Sequence, residues 1–254
     1  MSAMIYWTVS REDQLSCFRA SLPFEQYLTP DEIDRLGYLR FPKRRAEWLQ
    51  GRWTIKYLLR HSHPPFADLS PRSVQVKNEP EGMPYFEDVN SLNPLAVNIS
   101  ISHRDHYAFC ALTPNVDLKI GADIELIESR PPSFLEDFFT PAEYQQGVVY
   151  HGRQRDLWFT LVWSLKESML KALGKGLRLD TRCVEIRDIG DNLPVKACEV
   201  NNWQIAHLVY EGEPETLWCA WWRKQDRFVY TMAARLPMGA DCPQLQEVSA
   251  CLEE

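Results

Sequence analysis

Acidic and basic side chains at two characteristic spacings carry the chemistry that can be read from this chain. In Ile120-Gly121-Ala122-Asp123-Ile124-Glu125-Leu126, apolar and polar residues alternate. That alternation predicts a strand with Ile120, Ala122, Ile124 and Leu126 on its core face. Asp123 and Glu125 then share the opposite face, roughly 6 to 7 Å apart. Two such acids repel unless positive charge lies between them. A hard divalent cation such as Mg²⁺ takes carboxylate oxygens and keeps positions open for phosphate. A solvated strand face is the plainer alternative, and the pair alone does not choose between them.

A second spacing tips the balance. Arg155 to Leu173 predicts a long helix, apolar nearly all round through Leu157, Trp158, Phe159, Leu161, Val162, Trp163 and Leu165, as a buried helix is. Through it Thr160, Ser164, Glu167 and Lys171 draw one narrow polar stripe. A Glu167–Lys171 pair is worth only a few tenths of a kcal/mol on a helix surface. Burying an acid and an amine costs several kcal/mol unless they are bound to something charged. A phosphate-and-metal site explains the stripe, with Glu167 on the ion and Lys171 on an oxygen. Lys166 lies about 100° round the helix from Glu167 and is expected at the rim of the same site.

These residues must be positioned by the elements around them. The chain opens on a strand-like run, Ile5 to Val9, and a helix start at Thr29-Pro30-Asp31-Glu32, where a cap residue precedes Pro and first-turn acids. Lys43, Arg44 and Arg45 lead into a helix through Arg60, and Val97 to Ser102 alternates as a half-buried strand. Thr140-Pro141-Ala142-Glu143 repeats the Thr-Pro-x-Glu start, and four strand-like runs follow the long helix. The pattern predicts an α+β fold of two similar halves, 1–115 and 116–235, with 236–254 as a loose tail.

The 254 residues carry 45% hydrophobic and 25% charged side chains, ordinary for a globular protein. A net charge of −7 argues against a nucleic-acid binder, whose affinity rests on phosphate contacts. No run approaches the roughly 20 apolar residues that span a bilayer. The first ten residues lack the basic and apolar regions of an export signal. Seven scattered cysteines without a CxxC pair read as idle thiols of a reducing cytoplasm.

Trp163-Ser164-Leu165-Lys166-Glu167-Ser168-Met169-Leu170-Lys171 resembles the W-S-x-K-E-[AS]-x-x-K pattern of 4′-phosphopantetheinyl transferases. Gly121-Ala122-Asp123-Ile124-Glu125 resembles their G-x-D-x-E element, and Phe138-Phe139-Thr140-Pro141-Ala142-Glu143 the segment between. The length resembles the larger, surfactin-synthetase type, a pseudo-dimer within one chain. Arg44, Arg45 and Gly51-Arg52 are similar to its basic helix, and Ser102-His103 to its S-H-S element, with Arg104 in place of the last serine. Glu81-Gly82-Met83-Pro84 resembles its G-K-P turn with Met83 in place of lysine, so that Lys77 is expected to supply the contact.

The resemblance implies two halves related by a pseudo-twofold, with the active site in the cleft between them. It implies Mg²⁺ on Asp123, Glu125 and Glu167, with Asp123, Glu167 and Lys171 catalytic. Arg45, Arg52, Lys77, Ser102, His103, Lys166 and Lys171 would hold coenzyme A. The implied reaction moves 4′-phosphopantetheine to a serine of an apo acyl or peptidyl carrier protein and releases 3′,5′-ADP. Glu167 or a metal-bound water would act as base, in a cytoplasmic monomer. Two other functions fit the same residues: a metal-dependent hydrolase of coenzyme A or related nucleotide phosphates, and a non-catalytic nucleotide binder.

Overall fold

Two Thr-Pro-x-Glu helix starts organise the chain, one in each unit. A computed structural model describes residues 3–12, 24–190, 193 and 200–250. They divide into one unit of Met1–Val116 with Pro243–Glu254 and another of Asp117–Cys242.

In the first unit, strand β1 (Met4–Arg11) is followed by helix α1 (Pro30–Tyr38) and helix α2 (Pro42–Ser62). Thr29 caps α1: its side chain accepts from the Glu32 amide, and the Glu32 carboxylate accepts from the Thr29 amide, satisfying two orphan donors at once. Strands β2 (Val74–Asn78) and β3 (Pro84–Asp88) form a hairpin, and β4 (Asn98–Arg104) and β5 (Tyr107–Thr113) form a second. Ile55, Leu58 and Leu59 of α2 pack on Val74, Val76, Phe86, Ile99, Cys110 and Leu112. That burial, at about 25 cal/mol per Å² of apolar surface, holds helix to sheet.

In the second unit, β6 (Lys119–Leu126) has the span its alternation predicts. Helix α3 (Pro132–Phe138), helix α4 (Pro141–Val148) and helix α5 (Arg153–Ala172) follow. Strands β7 (Val184–Asp188), β8 (Val200–Tyr210), β9 (Trp218–Gln225) and β10 (Phe228–Arg235) complete an antiparallel sheet ordered β6-β10-β9-β8-β7. Leu161, Leu165 and Met169 of α5 pack on Val184, Ile186, Ala220, Trp222, Val229 and Ala233. The fold is therefore a mixed α+β one, and α5 is buried nearly all round.

Two expectations about the ends need correction. Residues 244–247 are not part of a loose tail: β11 (Gln244–Glu247) lies parallel to β1, giving the sheet order β11-β1-β5-β4. Val248 donates to the Trp7 carbonyl, and Tyr57 Oη donates to the Ser249 carbonyl. The exposed edge of β1 has backbone groups to satisfy, and this segment satisfies them. Nor are all the cysteines free thiols. Cys219 and Cys242 form a disulfide, because the chain after β10 turns back beside the start of β9, where the Leu236 amide donates to the Leu217 carbonyl. Cys110 and Cys183 are thiols outside any disulfide, whereas Cys17, Cys198 and Cys251 lie outside the described residues. Among the described residues no helix is long and apolar enough to cross a membrane.

Candidate active site

Gly121 sets the distance between β6 and α5. A Cβ at this position would stand 1.8 Å from the Ser168 carbonyl oxygen and 2.7 Å from the Ala172 amide nitrogen. Only a residue without a side chain lets the helix backbone come this close. The acid face of β6 is consequently turned onto the polar stripe of α5 rather than out to solvent. Asp123, 4% exposed, accepts from Ser164 Oγ at 2.7 Å and from Lys171 Nζ at 2.7 Å. Lys171 also donates to the Ala122 carbonyl at 3.0 Å. Thr231 of β10 closes this end of the group by donating to the Ser164 carbonyl at 2.8 Å. Thr160, the remaining stripe residue, is buried with no hydrogen-bond partner for its hydroxyl among the described residues.

Glu125 is held by two neighbours that spacing alone did not single out. Arg130 Nη2 donates to one carboxylate oxygen at 3.1 Å, and Trp163 Nε1 donates to the other at 3.2 Å. Arg130 also reaches Glu128 at 3.2 Å and lies over the Phe134 ring. Trp163 opens the Trp163-Ser164-Leu165-Lys166-Glu167 run. Arg130 had a faint signal, a basic residue shortly after the acid pair and just before Pro131-Pro132.

Glu167 differs from both acids. It makes no hydrogen bond or ion pair among the described residues. Burial pushes its carboxyl up to about 7, with the charges of Asp123 and Glu125 adding to the effect and Lys171 opposing it. Three acids thus meet two cations, Lys171 and Arg130, and Glu167 is the acid left over. Such a donor set accepts a further cation through hard oxygen ligands. The carboxylates are nonetheless not gathered at a single point: among the described residues no group of three His, Cys, Asp or Glu side chains converges tightly enough to hold a metal. Asp123 is drawn toward Lys171 and Glu125 toward Arg130. The chemistry of the set fits Mg²⁺, and closing three oxygens on one ion requires side-chain rearrangement.

The basic residues expected to hold coenzyme A are distributed less simply. The first unit has a cavity of about 610 Å³ lined by Phe41, Lys43, Arg44, Trp48, Arg52 and His103, among others. Arg52 lies over the Trp48 ring at 4.7 Å, with its Nε 3.8 Å from Glu32. His103 Nδ1 stands 3.8 Å from Glu47, which also lines the cavity. Arg45, by contrast, donates to the Leu36 carbonyl at 2.6 Å and ties α2 to the end of α1. Its neighbour Arg44 is the residue on the cavity wall. Lys77 pairs with Glu87 across the β2–β3 hairpin, and that bond raises its ammonium above the usual lysine range. Ser102 is buried, and Ile101, which packs against the core of the first unit, also lines the cavity.

Lys166 is not at a rim. It is fully buried, 2.7 Å from the Glu143 carboxylate, and donates to the carbonyls of Phe138 and Thr181. Burial lowers its ammonium below the usual lysine value, against the opposing pull of Glu143. About 100° of helix separates it from Glu167, which is enough to turn it toward α3, α4 and β7 instead of β6.

Comparison with known proteins places this geometry. Residues 119–232, which run from β6 into β10, match the family model of the 4′-phosphopantetheinyl transferase superfamily. A 4′-phosphopantetheinyl transferase from Nostoc sp., HetI, is 31% identical over 72% of this chain and 73% of its own length. The chain belongs to the 4′-phosphopantetheinyl transferase family. Phosphopantetheine transfer is its activity. A 4′-phosphopantetheinyl transferase from Bacillus subtilis is 33% identical over 48% of this transferase and 52% of its own length. A mouse L-aminoadipate-semialdehyde dehydrogenase-phosphopantetheinyl transferase is 26% identical over 92% of this transferase and 73% of its own length.

Proposed function

We propose that the chain moves the 4′-phosphopantetheine arm of coenzyme A onto a serine hydroxyl of an apo acyl or peptidyl carrier protein. In the reaction a bond forms between the serine oxygen and the β-phosphorus. The phosphorus–oxygen bond within the pyrophosphate breaks, and 3′,5′-ADP leaves. The observation that carries this reading is Glu167: a half-buried carboxyl without a hydrogen-bond or ion-pair partner among the described residues, in the field of two acids and a lysine. A pure binder of nucleotides has no need of that arrangement.

Asp123, Glu125 and Glu167 would hold Mg²⁺, which when bound supplies positive charge at the phosphoryl oxygens. The protein's own groups do the rest by position and charge. Lys171, held on Asp123 at 2.7 Å, neutralises the bridging oxygen. Glu167 would take the serine proton as a carboxylate. Arg52 and His103, with Arg44 and Lys43 beside them on one cavity wall, receive the 3′-phosphate end of coenzyme A. A planar guanidinium fits phosphate oxygens in pairs. Neither Arg45 nor Lys77 lines that wall, so we assign them no phosphate.

The surfactin-synthetase subtype, two duplicated halves related by a pseudo-twofold, is supported by repeated detail. The β4–β5 and β9–β10 hairpins turn on Asp105 and Asp226, with φ of 53° and 52°. Counted from those turns, Thr8 and Ser10 stand in β1 where Asp123 and Glu125 stand in β6. On this reading one chain carries one metal site and acts as a monomer. Intact-protein mass spectrometry of apo-carriers incubated with the transferase, coenzyme A and Mg²⁺ tests the proposal, with EDTA and Glu167→Gln alongside. A carrier gaining one phosphopantetheine only with metal and wild-type protein is the expected result. Normal transfer by Glu167→Gln overturns the site assignment. Cleavage of coenzyme A with every carrier unmodified favours the hydrolase.

A further inference from the structure

Lys166 is among the largest fully buried side chains of the protein, and nothing in the proposed transfer uses it. Its surroundings form a closed clasp. Glu143 Oε2 takes the Thr140 amide at 2.8 Å and lies 2.7 Å from Lys166 Nζ, while Oε1 takes the Ile186 amide at 2.9 Å. Lys166 donates in addition to the Phe138 carbonyl at 3.2 Å and the Thr181 carbonyl at 3.1 Å. One lysine therefore ties the middle of α5 to the end of α3, the first turn of α4 and the turn that leads into β7.

The first unit repeats this wiring bond for bond. Glu32 takes the Thr29 and Val76 amides at 3.0 Å each. Lys56, in the middle of α2, pairs with Glu32 and donates to the Tyr27 and Pro71 carbonyls at 2.9 Å each. From strand amide to acid, lysine to first carbonyl and lysine to second carbonyl, the separations are 44, 29 and 15 residues in the first unit. In the second they are 43, 28 and 15. The faces beside the two lysines differ. Aligned on Lys56 and Lys166, α2 offers Thr54, Tyr57 and His61 where α5 offers Ser164, Glu167 and Lys171. The first unit thus holds the clasp without the acids and provides an internal control.

We infer that Lys166 is a positioning residue: through its clasp with Glu143 it fixes the rotation and height of α5, and so holds Glu167 and Lys171 against Asp123. The inference rests on the site proposed above. A slip of α5 by one residue turns its face by about 100° and shifts it about 1.5 Å, enough to take Glu167 off the acid face of β6. Lys166 cannot slip with the helix without leaving three partners on three other elements. Residues that orient metal-binding groups in this way typically change metal affinity by about 10- to 100-fold when removed.

The test compares Lys166→Met, Glu143→Gln and Lys56→Met in the full-length transferase. Two quantities are read for each: the Mg²⁺ concentration that half-maximally raises the melting temperature, and kcat and KM for coenzyme A. Lys166→Met and Glu143→Gln are expected to raise the Mg²⁺ midpoint about tenfold or more and to lower kcat, with KM moved less than about twofold. Lys56→Met is expected to lower the melting temperature while its Mg²⁺ midpoint stays within about twofold of wild type. A rise in KM for coenzyme A on Lys166→Met with an unmoved Mg²⁺ midpoint would make Lys166 a phosphate ligand and overturn the inference. So would a loss of stability with both kinetic constants and the midpoint unchanged, which marks a merely structural clasp. If Lys166→Met does not fold, Glu143→Gln, which keeps one acceptor oxygen, carries the comparison. Glu167→Gln run in parallel separates the two levels: if it transfers normally, the site assignment fails and not the clasp.

Discussion

Replacing Gly121 with alanine puts a methyl group 1.8 Å from the Ser168 carbonyl oxygen, where ordinary contact begins near 3.4 Å. The obstacle is helix backbone, so no side chain can swing aside. Helix α5 must withdraw from β6 by about 1.6 Å, the gap between those two distances. The bonds from Ser164 and Lys171 to Asp123, both 2.7 Å, would then lie beyond the roughly 3.2 Å at which hydrogen bonds fail. Overpacking costs about 1–3 kcal/mol, and each lost bond to a charged group about 1.5–3 kcal/mol. Partial relaxation leaves a net cost of about 3–5 kcal/mol, or about 10 °C in melting temperature. Transfer should fall by more than the unfolded fraction explains, because the folded remainder has its acids and amine apart. Gly37→Ala is the control, since a Cβ there has nothing within 4 Å. Thermal melts and carrier loading measured at a temperature where both variants are folded check the reasoning. A Gly121→Ala protein that melts within about 2 °C of wild type and transfers at the wild-type rate would refute the claim that this glycine sets the site.

Other outcomes follow from the same geometry. In metal-free buffer, folded Glu167 keeps its proton up to about pH 7, whereas the unfolded chain releases it near its ordinary value. Unfolding free energy therefore falls as pH rises between those values, by about 2 kcal/mol after screening. Glu167→Gln should remove that slope, so melts of the two proteins with chelator at pH 5 and pH 8 should diverge only at the higher pH. Arg44→Ala should raise KM for coenzyme A about tenfold, and Arg45→Ala should lower stability by about 1 kcal/mol with KM unchanged; the reverse pattern would move the phosphate to Arg45. Trp163→Phe keeps the ring packing but loses the bond to Glu125. A transfer rate lowered several-fold with an unchanged melting temperature is expected, and an unchanged rate would show that Glu125 needs no such support. Under non-reducing conditions the purified protein should carry two fewer hydrogens by mass at Cys219 and Cys242, and Cys219→Ser should abolish the difference.

Local rules made much of this legible. Both Thr-Pro-x-Glu starts form capping boxes, and β6 has its predicted span because strict alternation on a half-polar face leaves little freedom of register. Glu167, Ser164 and Lys171 share a face because helical spacing demands it. What a face meets is a different matter. Helix periodicity could not tell Lys166 from a surface lysine, since its partners lie on three elements distant in the chain. Neither could it tell which of two adjacent arginines, Arg44 or Arg45, would line the cavity, because a long flexible stem reaches either way. Arg130 and its hold on Glu125 depend on how the chain turns after β6, and no periodicity describes a turn. β11 escaped notice because a four-residue strand among Pro, Gly and acids has no pattern until an open edge gives it one.

That last strand also sets an order of events during synthesis. Met4 pairs with Gln244, so one edge of an early strand waits for a partner made roughly 240 residues later. At about 5–20 residues per second the wait is on the order of 10 to 50 seconds, during which β1 offers an unsatisfied edge to any passing chain. Residues 117–242, all made before that partner, have every strand of their own sheet in hand by then. The transferase is thus built so that the half bearing the acids can mature first, and the stage most open to mispairing belongs to the half that bears none.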